Sequence, residues 1–186
     1  MTDDELEQLR RDVERLKDRA AILDVVARHA RGSDRHDAEL LTSAYHSDGV
    51  DEHGSARNPG PAYAAFANGV HTATSRAHTH NITTHTCEVD GDTAHAESYV
   101  LVALLASDGR STTVMSGRYL DRLDKRDGVW RISARRSTVD VVLSGSAGLL
   151  EHPGFRAQRY PRGTQDRDDP SYQRPLDLDT PAGPTW

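Results

Sequence analysis

The second half of the chain is the part that most restricts what it can fold into. Four segments rich in β-branched residues, 77–89, 93–106, 111–123 and 129–143, are separated by Asp90-Gly91-Asp92, Ser107-Asp108-Gly109 and Arg126-Asp127-Gly128. Turns this short leave only antiparallel neighbours, so the segments predict a meander of long strands. A meander of this length must bury one face, and nothing downstream is apolar enough to cover it. The cover is therefore expected from the residues that precede it.

Those residues read as helices. Thr2 and Glu5 have the spacing of a capping box, and Leu6, Leu9, Val13, Leu16, Ala20, Leu23, Ala27 and Ala30 recur at alternating steps of three and four. The pattern predicts one long amphipathic helix ending near Arg31, with Gly32 as its stop, whose first half is free to pack on another element or another chain. A short helix from Ala38 to Tyr45, a short strand from Val50 to His53 and a third helix opened by Pro59-Gly60-Pro61 follow. Helices first and a meander afterwards give an α+β class in which a curved antiparallel sheet wraps around the N-terminal helices.

Residues 151–186 differ in kind. Six of the eight prolines lie here among Asp, Arg and Gly, and aliphatic residues are few, so the segment forms no core of its own. The chain thus divides into a domain over 1–150 and a Pro-rich arm over 151–186. The arm is either a disordered end or an extended strap that docks through Phe155, Tyr160, Tyr172, Leu176 and Leu178.

Composition narrows the chemistry. The chain has 23 Lys and Arg against 29 Asp and Glu, for a formal charge of -6, and no basic run interleaved with aromatics, which argues against a nucleic-acid partner. No apolar stretch approaches the roughly 20 residues that span a bilayer, and the N-terminus is acidic, so the chain is expected to be cytoplasmic with no membrane partner. Cys87 is the single cysteine, which excludes an internal disulfide and dithiol chemistry. There is no Gly-rich phosphate loop and no GxSxG, which argues against nucleotide cofactors and acyl-enzyme mechanisms.

Ten histidines against two Phe and two Trp make imidazole the group to follow. On a strand His78, His80, Ile82 and Thr84 share one face, so with Ile82 in the core His80 points into the space the sheet encloses. Asp34, where the chain turns back after the first helix, is a candidate partner that would fix the imidazole tautomer, with capping of the second helix as its competing role, as for Asp37. A metal is the other use of such residues, with His78 and His80 joined by His53 or an acidic residue. No HExxH or comparable spacing supports it, and neither metal nor cofactor is predicted.

The order of Gly32-Ser33-Asp34-Arg35, Tyr45-His46-Ser47-Asp48-Gly49-Val50, His80 seven residues before Cys87-Glu88-Val89-Asp90-Gly91-Asp92, Gly117-Arg118-Tyr119 and Asp127-Gly128-Val129-Trp130-Arg131 resembles the SnoaL-like branch of the nuclear-transport-factor superfamily, over about residues 5–143. The resemblance implies a cone-shaped α+β barrel around a deep pocket, assembled as a dimer or trimer. It implies cofactor-independent elimination of the dehydratase or dehydrochlorinase kind, with His80 as base and Asp34 as its orienting partner. A pocket arginine falls near Arg135, and Tyr45 and His53 are expected to line the pocket. Ser33 stands where the dehydratases carry a pocket tyrosine, and 99–105 contains no histidine where they have a second one. The expected function is a lyase acting on a small apolar cyclic or aromatic substrate. The alternatives are an isomerase or cyclase using the same pair, or the non-catalytic small subunit of a ring-hydroxylating dioxygenase. Apolar residues on both faces of the last strand, Val139, Val141, Val142 and Leu143, add the expectation of a homo-oligomer.

Overall fold

A computed structural model describes residues 1–186. The first helix, α1, runs from Asp3 to Asp34, and its capping box is formed: Glu5 N–H donates to the Thr2 hydroxyl while Thr2 N–H donates to the Glu5 carboxylate. Gly32 does not stop it. A Cβ at Gly32 would lie 2.6 Å from the Leu41 nitrogen, so glycine is required there by the close approach of the next helix, and α1 continues one further turn to deliver Ser33 and Asp34. The buried stripe is also offset from the expected one. Ile22, Val25, Val26, His29, Ala30 and Ser33 face the core, whereas Leu9, Leu16 and Leu23 are exposed.

Helix α2 is short, Ala38–Thr42, capped by the Asp37 carboxylate on Leu40 N–H. Tyr45 opens a strand and does not end this helix, because strand β1, Tyr45–His53, begins as soon as Ala44 is buried and pairs in parallel with the last strand of the meander. A strand absent from the sequence reading, β2 (Ala56–Pro59), returns along β1, and α3 (Gly60–Thr74) follows with proline in its first turn.

The meander is as expected in order and slightly longer in extent: β3 Ser75–Asp90, β4 Thr93–Ala106, β5 Ser111–Arg126 and β6 Val129–Ser146. Its last hairpin turns through Asp127 at φ 53° and Gly128 at φ 75°, the two left-handed positions that a two-residue hairpin of this kind needs. The six strands form one sheet in the order β2-β1-β6-β5-β4-β3. It is curved and unclosed, with α1, α2 and α3 packed on its concave side to give a cone-shaped α+β barrel. The core lies between them, around Ile22, Val25, Leu41, Leu123, Trp130 and Ile132.

The face assignment for β3 holds as far as Ile82. A bulge between Ile82 and His85 then reverses the alternation, so His85 pairs with the buried Ser98 hydroxyl at 2.8 Å. No helix is long and apolar enough to cross a membrane.

The arm is docked on its own chain. Arg35 donates to the Asp169 carboxylate at 2.5 Å and to the Thr164 carbonyl at 2.6 Å, and the Tyr172 hydroxyl donates to Asp37 at 2.9 Å. Arg31 lies over the Tyr172 ring. Leu176 and Leu178 take no part and remain exposed.

Candidate active site

The last turn of α1 and the first half of β3 meet at Asp34 and His80. The Asp34 carboxylate accepts His80 Nδ1–H at 2.6 Å and the His80 backbone N–H at 3.0 Å on both oxygens. Two donors from one residue, the backbone N–H shared between both oxygens, leave the carboxylate a single orientation. The imidazole is fixed in turn: Nδ1 carries the proton, and Nε2, which makes no hydrogen bond, presents its lone pair. The two side chains are 7% and 13% exposed, dry enough to strengthen the pair and open enough for a substrate to reach it. Beside them a hollow of about 380 Å³ runs between α1 and β3, bordered by Ala30, Ile82 and, from the arm, Asp169 and Ser171. Two larger hollows, of about 660 and 760 Å³, contain neither residue.

Asp34 therefore does not cap α2. Asp37 does, which frees Asp34 for the histidine.

The other expected site residues are distributed around the interior and do not touch the pair. Tyr45 is buried, and its hydroxyl donates to Asp51 at 2.6 Å. Burial raises the Tyr45 phenol and the Asp51 carboxyl alike, so the tyrosine stays a donor. Arg135 is held by Asp121 in a two-pronged bond, 2.7 Å on each prong, with its guanidinium 4.1 Å from the Tyr119 ring centroid. Burial works against its charge, and Asp121 outweighs that effect and keeps it protonated. Arg135 Nη1 is buried without a partner. His53 stands at the rim, 42% exposed, with the Tyr63 hydroxyl 3.2 Å from its Nδ1.

One interior residue was missed by the sequence reading. His29 on α1 is 1% exposed, lies within 5.4–5.6 Å of the rings of Tyr45, Tyr63 and Tyr119, and has no hydrogen-bond partner on either nitrogen. Burial first, then Arg135, His80 and His53, pull its imidazole well below the usual value, so it is neutral and shares one interior with those three groups. The available signal was the helical period: Ile22, Val25/Val26, His29 and Ser33 fall on one stripe.

Two sets of metal-ligating side chains converge nearby, Asp34 with His78 and His80, and His36 with His71 and His78, each with its ligand atoms within 4.8 Å of one another. His53 belongs to neither. The first set is the Asp34 and His80 pair plus a neighbour, and its Asp34 oxygens are already occupied by His80.

Residues 14–136 match the family described as the SnoaL-like domain, well over half of the chain. The chain belongs to that family. Among solved structures, a type 2 hexachlorocyclohexane dehydrochlorinase (LinA) shares 26% identity with this SnoaL-like chain over 72% of it and 93% of the dehydrochlorinase, at a TM-score of 0.67. Rv3472, a Mycobacterium tuberculosis protein of unknown function, shares 30% identity over 68% of this chain and 74% of its own, at a TM-score of 0.61. A scytalone dehydratase candidate from Novosphingobium aromaticivorans DSM 12444 shares 20% over 69% and 88%, at a TM-score of 0.63, which supports the common fold. No curated protein sequence matches.

Proposed function

We propose that this SnoaL-like chain is a cofactor-independent lyase that eliminates water or another small leaving group from a small, apolar, cyclic or aromatic substrate, and that it works as a homo-oligomer, a trimer or dimer. His80 Nε2 removes a proton from carbon, and Asp34 holds the imidazole in the competent tautomer and stabilises the imidazolium that forms. The observation that carries the reading is the Asp34 carboxylate clamped by three bonds from His80, one of them a 2.6 Å bond to Nδ1. Such a pair needs no electron carrier or activated group to begin an elimination. The dehydrochlorinase likeness supports an apolar ring as substrate.

The test is turnover of a panel of halogenated and hydroxylated cyclic compounds, followed by product mass. Loss of HCl or H₂O marks a lyase, and an unchanged mass marks an isomerase and overturns the elimination. His80→Ala and Asp34→Asn should each lower kcat by roughly 10²–10⁴ with the circular dichroism spectrum unchanged. Full activity in His80→Ala would remove His80 from the mechanism.

A further inference from the structure

Behind the His80 and Asp34 pair three imidazoles meet from three separate elements. His36 lies in the turn after α1, His71 in the last turn of α3 and His78 on β3. The His71 and His78 ring centroids are 3.9 Å apart, and His36 is 5.3 Å from His78 and 6.4 Å from His71. One ring nitrogen from each lies within 4.8 Å of the other two. Buried polar atoms in native folds are paired, and an orphan costs about 1–3 kcal/mol. Here His36 Nε2 and His71 Nδ1 are both buried without a partner. His36 also holds a left-handed backbone at φ 49°, a strained conformation for a residue with a side chain and one that occurs at ligand sites.

His78 supplies the third nitrogen in a recognisable state. Its Nε2 faces the Ser33 carbonyl at 3.1 Å and so donates to it, leaving the lone pair on Nδ1. A ligand histidine ordinarily has its second nitrogen anchored on a carbonyl in this way. From the arm, the Gln165 side-chain amide donates its Nε2–H to Nδ1 at 2.8 Å, and the Ser75 hydroxyl lies 3.4 Å from the same nitrogen, so Nδ1 is held by donors that an incoming cation would displace.

We propose that His36, His71 and His78 form a binding site for one divalent transition metal of the zinc type, with a water in the fourth position and the Gln165 amide moved off His78 Nδ1. Neutral imidazoles suit Zn²⁺, Ni²⁺ or Cu²⁺, whereas Mg²⁺ and Ca²⁺ require oxygen. Two nitrogens on a tetrahedral Zn²⁺ with bonds of about 2.0 Å stand roughly 3.3 Å apart, a separation within reach of ring rotation from the present contact. Burial first, then the neighbouring imidazoles, bring His71 down to about 3, and burial brings His78 to about 4, so both are in the unprotonated form that a metal needs at neutral pH. The site does not depend on the catalytic role of His80.

The test uses the full-length untagged chain, stripped with chelator and titrated with Co²⁺ and with Zn²⁺ up to about 100 µM, the range in which a preformed three-histidine site saturates. The expected result is one equivalent of Co²⁺ with the visible absorption of tetrahedral coordination, displaced by Zn²⁺. His36→Asn, which tolerates the left-handed backbone and so preserves the fold, and His71→Gln should each weaken binding by more than the roughly 10–100-fold that an outer-shell change costs. Asp34→Asn should bind within about threefold of the parent, since its carboxylate is no ligand here. Absence of one-equivalent binding in the parent overturns the proposal. So does loss of binding in Asp34→Asn with retention in His36→Asn, which would put the ion on Asp34, His78 and His80.

Discussion

Arg135 sits on β6 with its side chain fully buried, and its ion-pair partner, Asp121, is equally buried. Two charges taken out of water are tolerated because the two-pronged bond satisfies both at once, and the arrangement makes each hostage to the other. Arg135→Met is therefore expected to cost about 3–5 kcal/mol, because it strands a buried carboxylate. Thermal unfolding should show a fall in Tm of roughly 10 °C or more. Adding Asp121→Leu should recover most of the loss, and a single variant as stable as the parent would mean that water reaches Asp121. The family resemblance placed a pocket arginine near Arg135 and could not show this partner, since residues 121 and 135 become neighbours only through the β5 and β6 register. The same limit applies to Asp34. Spacing left it between partnering His80 and capping α2, and the extra turn of α1 around the glycine packed against Leu41 decides the matter.

At the scale of elements, the four meander strands were legible because their turns are written locally in Asp and Gly, and α3 because proline opens it. Strand β2 was not, since four residues of mixed character acquire strand geometry only by pairing with β1. The arm was ambiguous for a related reason: its docking uses single ion pairs and rings, not a periodic face. Two carboxylates secure it. Burial alone would raise Asp169, but bonds from Ser171 and Thr164 and the Arg35 charge hold it below its ordinary 3.8. Asp37 is likewise held down, by Leu40 N–H, the Tyr172 hydroxyl and Arg167, against the effect of burial. A depressed carboxyl stabilises the docked state fully above its unfolded value and loses that contribution as pH falls through the folded value. The arm should thus stay docked at every pH above the ordinary 3.8 of these carboxyls and release only as pH falls below it. Hydrogen exchange over residues 160–172, corrected for intrinsic rates, reads this directly. Asp169→Asn should expose the same amides at neutral pH, and protection unchanged in that variant would locate the anchor elsewhere.

For the whole molecule, the exposed apolar surface is what a single chain leaves unexplained. The register pairs Leu101 with Ser116 and Ser116 with Val141, and Ala103 with Val114 and Val114 with Leu143, so Leu101, Val114, Val141 and Leu143 share the outer face of β4, β5 and β6. All four are exposed, Leu143 at 64%. Val139 is not among them: the extra residue at Asp140 puts Val139 opposite Gly117, on the other face. Val142, paired through Met115 with Val102, is on that inner face as well and is 57% exposed. The first half of α1 adds a second uncovered stripe, with Leu9 at 51% and Leu16 at 63%. An antiparallel sheet wets one face comfortably, but an apolar outer row on long strands normally meets a partner. The homo-oligomer proposed above would cover these rows: a second copy presenting the same sheet closes as a dimer, and a head-to-tail contact closes as a trimer. Light scattering of the intact chain should give two or three times the mass of one chain. Val141→Lys with Leu143→Lys should yield the monomer with its secondary structure intact, because neither side chain contributes to the core. A monomer in the parent chain, or an oligomer unaffected by the two lysines, would show that the outer rows of β5 and β6 are not the surface that joins the copies.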